Sequence, residues 1–226
     1  MTTLTGPRAA PKSGQTKQLV ILLHGYGADG PDLLGLSEPL SEFLPDTTFW
    51  APNAPEECRV NPGGRQWFPI PPIDGSAQQE MIESYISSCE TLDADIEAII
   101  AEEGVTRAKT ALLGFSQGTM MALAVGPRRA PELAGIVGFS GRLLDEESLG
   151  LAAARPPVLL VHGDRDEVVP HSSMAEAETA LKANGFPVTT FTSEGTPHAI
   201  GPDGLGLSVG FLIDVLGLPR PQPSDA

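Results

Sequence analysis

Short apolar runs punctuate the chain, and stretches with a three-to-four-residue apolar rhythm lie between them. The runs at 18–25 (QLVILLHG), 47–55 (TTFWAPNAP), 109–116 (KTALLGFS), 133–141 (LAGIVGFSG), 157–164 (PVLLVHGD) and 187–195 (PVTTFTSEG) predict strands. Most are continuously apolar, which suits strands covered on both faces; the last is more polar and is expected near a sheet edge. A helix is predicted over 79–103, where Ile82, Ile86, Cys89, Leu92, Ile96 and Ile99 share one face and Gly104 supplies a stop. Met174, Ala177 and Leu181 repeat that spacing before Gly185, and Leu205, Val209, Leu212 and Leu216 repeat it near the C-terminus. Strand–helix alternation in one chain predicts the α/β class, with a mostly parallel central sheet flanked by helices on both faces. Functional residues are then expected beyond the carboxyl ends of the strands.

The pattern divides the chain into a polar N-terminal segment (1–17), one domain (18–217) and a short tail (218–226) expected to be disordered. Two segments fit no regular element: 56–78, rich in Pro and Gly, and 142–156. Irregular loops of that length in a compact domain are often functional. At 226 residues, 41% hydrophobic and 19% charged, the chain has the material for one sizeable core. A net formal charge of −15 disfavours nucleic acid and anionic membrane surfaces as partners, and no apolar run is long enough to span a bilayer. The start, "MTTLTGPRAAPKSGQTKQ", shows no apolar leader, so a cytoplasmic location is expected. Cys58 and Cys89 do not make a disulfide framework, and Cys89 sits on an apolar helix face, where a core role is expected.

The candidate chemistry centres on Gly114-Phe115-Ser116-Gln117-Gly118, a G-x-S-x-G pattern. A predicted strand precedes it and a predicted helix follows. A nucleophilic serine needs that sharp turn, small neighbours, and a helix N-terminus that favours developing negative charge. It also needs a base, normally a histidine oriented by a carboxylate, in the chain order Ser, acid, His. His24 precedes the serine, His162 precedes every plausible acid, and His171 follows the acid too closely to reach across a site. His198, in a loop after the last strand, is the best candidate base. The acid is Asp164 or Asp166, and spacing does not separate them. The oxyanion of acyl transfer needs two N–H donors: Gln117, next after the serine, and Tyr26, in the glycine loop "HGYGADG". That loop lacks the features of a phosphate loop, and the scattered histidines make no metal signature. Ser140 lacks a second spaced glycine and is expected to be structural. Trp67, Phe68, Ile70, Leu143 and Leu144 are placed to line an acyl or alcohol pocket.

Together "LLHGYGADGPDLLGL", "QWFPI", "GFSQGTMMAL", "GFSGRL", "HGDRDEVVP" and "GTPHAI" resemble the carboxylesterase and phospholipase family of small α/β-hydrolases, from about Leu19 to Leu216. That family includes bacterial carboxylesterases and acyl-protein thioesterases. The resemblance implies a single α/β-hydrolase domain with little or no cap. It implies Ser116 as nucleophile, Asp166 as triad acid, His198 as base, and Tyr26 and Gln117 as oxyanion donors. It implies no metal or organic cofactor, a small-molecule ester substrate, no integral membrane contact, and leaves room for a homodimer. The loop "QWFPIPPIDG" departs from the shorter "WFD"-type loop common there. The expected activity is that of a serine carboxylesterase. Acyl-protein thioesterase or lysophospholipase action with the same triad is the near alternative, and a catalytically silent binding protein of this fold the distant one.

Overall fold

The computed structural model describes residues 2–220. In chain order the elements are β1 (Arg8–Ala9), β2 (Gln18–Leu23), α1 (Gly30–Leu34), α2 (Ser37–Ser41), β3 (Thr47–Trp50), β4 (Glu56–Glu57), β5 (Arg65–Gln66), α3 (Pro71–Asp74) and α4 (Gln78–Glu103). There follow β6 (Thr110–Phe115), α5 (Gln117–Val125), β7 (Gly135–Phe139), β8 (Val158–Gly163), α6 (Ser172–Ala183), β9 (Val188–Ser193) and α7 (Pro202–Val215). The main sheet has the order β1-β3-β2-β6-β7-β8-β9, parallel throughout except for β1, and the polar β9 lies at one edge. β4 and β5 form a separate hairpin inside the irregular 56–78 segment.

Both faces of the sheet are buried, which is why its strands read as apolar runs rather than as alternations. Leu19, Ile21, Leu23, Leu112, Ile136 and Leu160 pack on one side against α4, α5 and α6. Val20, Leu22, Leu113, Val137, Leu159 and Val161 pack on the other against α1, α2 and α7. The protein has the mostly parallel, two-sided α/β architecture that the alternation predicts, as the resemblance to α/β-hydrolases also implies.

Two features differ from the sequence reading. The polar segment 1–17 contributes the edge strand β1 and places Leu4 in the core. The buried carboxylate of Asp95 on α4 holds it there by accepting hydrogen bonds from Thr3 N (2.7 Å) and Leu4 N (2.6 Å). On α4, Ile82 and Ile86 are exposed, not buried; the face turned inward there carries Met81, Tyr85 and Ser88. Both series satisfy helical spacing. The choice is made by Ser88, whose hydroxyl donates to Trp67 O, and by Tyr85, whose ring meets Phe68 edge-on at 5.6 Å. Of the expected disordered tail, residues 221–226 lie outside the described residues, while Arg220 pairs with Asp214. No helix of the described residues is long and apolar enough to cross a membrane.

Candidate active site

Ser116 joins β6 to α5 at φ 54° and ψ −116°, a backbone conformation rare for a residue with a side chain and costing of order 1–3 kcal/mol. Local bonds hold it there. Its N–H donates to Phe139 O (2.9 Å), and its carbonyl accepts from Thr119 N and Met120 N at the first turn of α5. The flanking glycines are sterically required. A Cβ on Gly114 would lie 2.4 Å from the Gly118 and Thr119 backbone, and one on Gly118 would lie 1.8 Å from Leu23 O. The motif is therefore a packing solution in which β6, α5 and the end of β2 meet with no room for a methyl group.

Gln117 is the first residue of α5, so its backbone N–H has no acceptor within the helix. Its side chain faces another way: Nε2 donates to Phe68 O (2.8 Å) and Oε1 accepts from Trp67 N (3.1 Å), tying α5 to the 67–68 segment. Tyr26 follows β2. Its phenol donates to Asp74 Oδ2 (3.0 Å), and Asp74 also accepts from Ile70 N and Ser76 N. Burial, with Cys58 and Asp74 alongside, pushes the Tyr26 phenol well above its usual range, so it stays a donor. Burial opposes the ionised form of Asp74, but the bonds from Ser76, Ile70 and Tyr26 outweigh it and hold the carboxyl below its usual range.

Asp166 and His198 come from the loops after β8 and β9. Asp166 Oδ2 lies 2.7 Å from His198 Nδ1, and Oδ1 accepts from Val168 N and Val169 N at 2.9 Å each. His162 Nε2 stands 3.2 Å from Oδ2, but its hydrogen goes to Val169 O at 2.9 Å. Burial works against the charge on Asp166, yet these hydrogen bonds, led by His198, bring its pKa below the usual carboxylate value. Asp164 has a different partner: its Oδ1 accepts from Gly195 N (2.6 Å), fastening the β8 loop to the β9 loop. His162 is buried, and that burial keeps its ring neutral by lowering its pKa. His24 is fully buried in the core, where Nδ1 bonds Gly25 O and Nε2 accepts from Ala54 N. His171 bonds Thr192 Oγ1.

Ser116, His198, Tyr26 and Gln117 line one cavity of about 270 Å³. Phe68, Ile70 and Leu144 line it as the sequence suggested, joined by Ile73, Met81, Met120, Arg142 and Val168–Pro170, which the sequence reading missed. Two assignments need correction. Trp67 is fully buried behind the cavity, its Nε1 donating to His24 O (2.9 Å) and its ring 5.6 Å from that of His24. Leu143 lines a neighbouring cavity with Glu146 and Ser173 instead. Trp67 and Phe68 diverge from one irregular segment, whereas Leu144 lies between the two cavities and lines both. Among the described residues no group of three or more His, Cys, Asp or Glu side chains is arranged to hold a metal ion.

The family model described as phospholipase/carboxylesterase matches residues 5–213. Among curated proteins, the chain is 30% identical over 186 residues to esterase YpfH of Escherichia coli (strain K12), covering 81% of this chain and 77% of that protein. It is also 30% identical over 179 residues to acyl-protein thioesterase 1 of Saccharomyces cerevisiae, covering 74% and 78% of the two chains. Among solved structures, esterase PE8 superposes with a TM-score of 0.89 at 41% identity, over 94% of this chain and 99% of that one.

Proposed function

The chain belongs to the phospholipase/carboxylesterase family and is an ester-hydrolysing serine hydrolase, and on that premise we propose that it is a carboxylesterase working through Ser116, His198 and Asp166. Ser116 Oγ attacks the ester carbonyl while His198 Nε2 takes its proton. Asp166 holds the imidazole in the tautomer that leaves Nε2 free and stabilises the imidazolium that forms. The backbone N–H groups of Tyr26 and Gln117 receive the oxyanion. The alcohol departs with the proton from His198. Water then loses a proton to the same nitrogen as it attacks the acyl-enzyme, and Ser116 regains its hydrogen as the acid is released.

The observation that carries this reading is the Asp166–His198 contact of 2.7 Å beside a serine held at positive φ on the same cavity. The test is hydrolysis of 4-nitrophenyl butyrate, together with labelling by a fluorophosphonate probe. Ser116→Ala should lose turnover and labelling while keeping its melting temperature. Retained turnover, or labelling mapped to Ser140, overturns the assignment. Thioester hydrolysis is supported by the acyl-protein thioesterase among the relatives and uses the same steps with a thiol leaving group. Parallel assays on an acyl thioester and its oxygen ester separate the two. A silent binding protein of this fold would hydrolyse neither.

A further inference from the structure

Arg142 is used by none of the steps above. It follows β7 in "GFSGRL", where Ser140, at φ 48° with its N–H donating to Val161 O (2.9 Å), turns the chain toward the cavity. Exposed to solvent, Arg142 lines the same cavity as Ser116 and His198 and also the adjoining one. The rest of that lining is apolar or neutral, apart from His198 itself.

The side chains of most other cations of the described residues have partners, the exposed Arg165 excepted. Arg8 pairs with Glu102, Lys17 with Asp46, Arg107 with Glu97, and Arg129 with Asp93. Arg65, Lys109 and Arg155 donate to backbone carbonyls. Arg142 makes no hydrogen bond or ion pair among the described residues, although acidic residues outnumber basic ones by 29 to 14. The carboxylates around it form no ion pair with it. Asp166 is taken up by His198 and two backbone N–H groups, and Glu146 and Glu176 share the adjoining cavity with Arg142 but form no ion pair with it. A guanidinium presents several donors in a planar fork that matches a carboxylate or phosphate, and it stays charged at any working pH. In a molecule this acidic the long-range field repels anions, so a free cation beside the candidate nucleophile acts at short range, as a recognition group.

We propose that Arg142 is a specificity-determining residue that selects esters bearing an anionic group, a carboxylate or a phosphate, on the acyl or the alcohol half. The proposal rests on the ester-hydrolase reading and deepens it by naming a substrate class. The bound anion accepts from the guanidinium while the apolar walls, Phe68, Ile70 and Leu144 among them, hold the methylene chain next to it.

The test compares matched esters within one enzyme preparation. For the acyl half the pair is mono-4-nitrophenyl adipate and 4-nitrophenyl hexanoate; for the alcohol half it is hexanoylglycerol phosphate and hexanoylglycerol, read by release of hexanoate. The quantity is the ratio of kcat/KM for the anionic over the neutral ester, in which the fraction of folded enzyme cancels. Arg142→Gln should lower that ratio by about tenfold or more in one arm, the size of a lost charge-assisted hydrogen bond, and Arg142→Lys should recover part of it. The arm that responds tells which half carries the anion. A ratio in Arg142→Gln within about twofold of wild type in both arms, less than one such hydrogen bond would give, overturns the proposal. If the wild type hydrolyses no neutral ester either, the ester-hydrolase reading fails first and this one falls with it.

Discussion

Gly118→Ala concentrates the local physics of the site in one methyl group. The added Cβ would stand 1.8 Å from Leu23 O, 2.4 Å from Leu23 C and 2.9 Å from His24 O, where ordinary contact begins near 3.4 Å. All three atoms are backbone, so no rotamer change relieves the clash. α5 and the end of β2 must part by roughly 1.5 Å instead. Overpacking of this kind costs about 1–3 kcal/mol, which lowers the melting point of a chain this size by several degrees. The effect on rate should be larger. Gln117 moves with α5 and Tyr26 with the end of β2, so the displacement spreads the two N–H groups that would share the oxyanion. A misplacement of about 1 Å commonly costs about a hundredfold. We expect kcat on 4-nitrophenyl butyrate to fall by about that factor, with a smaller change in KM, because the oxyanion donors act mainly in the transition state. Gly210→Ala is the control. It lies within α7 with nothing within 4 Å of the new methyl and should gain about 0.5–1 kcal/mol without touching turnover. Steady-state kinetics and thermal melts on both variants decide the matter. A Gly118→Ala enzyme whose kcat stays within about threefold of wild type, far short of the expected loss, would show that the β2–α5 contact does not set the oxyanion geometry.

Trp67→Ala should cost about 3–5 kcal/mol in urea denaturation, because it empties a fully buried indole site and leaves His24 O without its donor. A stability loss under about 1 kcal/mol, with an altered acyl-chain preference, would return Trp67 to the pocket wall. Acid should destabilise the fold from about pH 6.5 downward, since burial lowers the pKa of both His24 and His162 and the unfolded chain therefore binds protons more tightly. That stability is fully present above the unfolded histidine pKa and is lost as the pH falls. His24→Gln, which cannot take up the proton, should flatten the fall of melting temperature between about pH 7 and 5, and an unchanged slope would exclude His24 as a contributor.

How much of this was legible in the sequence depended on whether side-chain chemistry or backbone geometry set the feature. The central strands β2, β6, β7 and β8 were legible because double-sided burial makes them apolar, and β9 because a more polar run fits a sheet edge. β1 was not: two residues, Arg8 and Ala9, pair with Trp50 and Phe49 through the backbone alone. Cys89, Leu92, Ile96 and Ile99 were correctly read as core, but the start of α4 was misread by one residue, since Met81–Tyr85 and Ile82–Ile86 have the same spacing. The triad order singled out Ser116 and His198, whereas Asp164 and Asp166 differ only in where the loop folds back. Trp67 was misplaced because residue type says that an aromatic is buried and not against what. Arg142 passed unnoticed, since what sets it apart is an unpaired side chain on the wall of the cavity, and both cavities and partners are visible only in three dimensions.

The arrangement of the site poses a problem of reach that the fold solves with a glycine. Tyr26, Ser116, Arg142, Asp166 and His198 lie beyond the carboxyl ends of β2, β6, β7, β8 and β9, five neighbouring parallel strands. Neighbouring strands are about 4.8 Å apart, so β9 ends about 14 Å from β6, too far for a histidine standing on its own strand to serve a serine on the other. The loop after β9 must double back across the end of β8. It can do so because Gly163 closes β8 without a side chain: a Cβ there would lie 2.1 Å from Thr196 O and 2.8 Å from Pro197 O. Arg165 N donates to Thr196 O (3.1 Å), and the Asp164 carboxylate takes Gly195 N, so the crossing is pinned from both sides. His198 emerges from it against Phe115, ring centroids 4.9 Å apart, with Asp166 behind it. The motif "HGD" thus reads as three separate jobs: His162 donates to Val169 O and fixes the loop that carries Asp166, Gly163 clears the path, and Asp164 ties the crossing down.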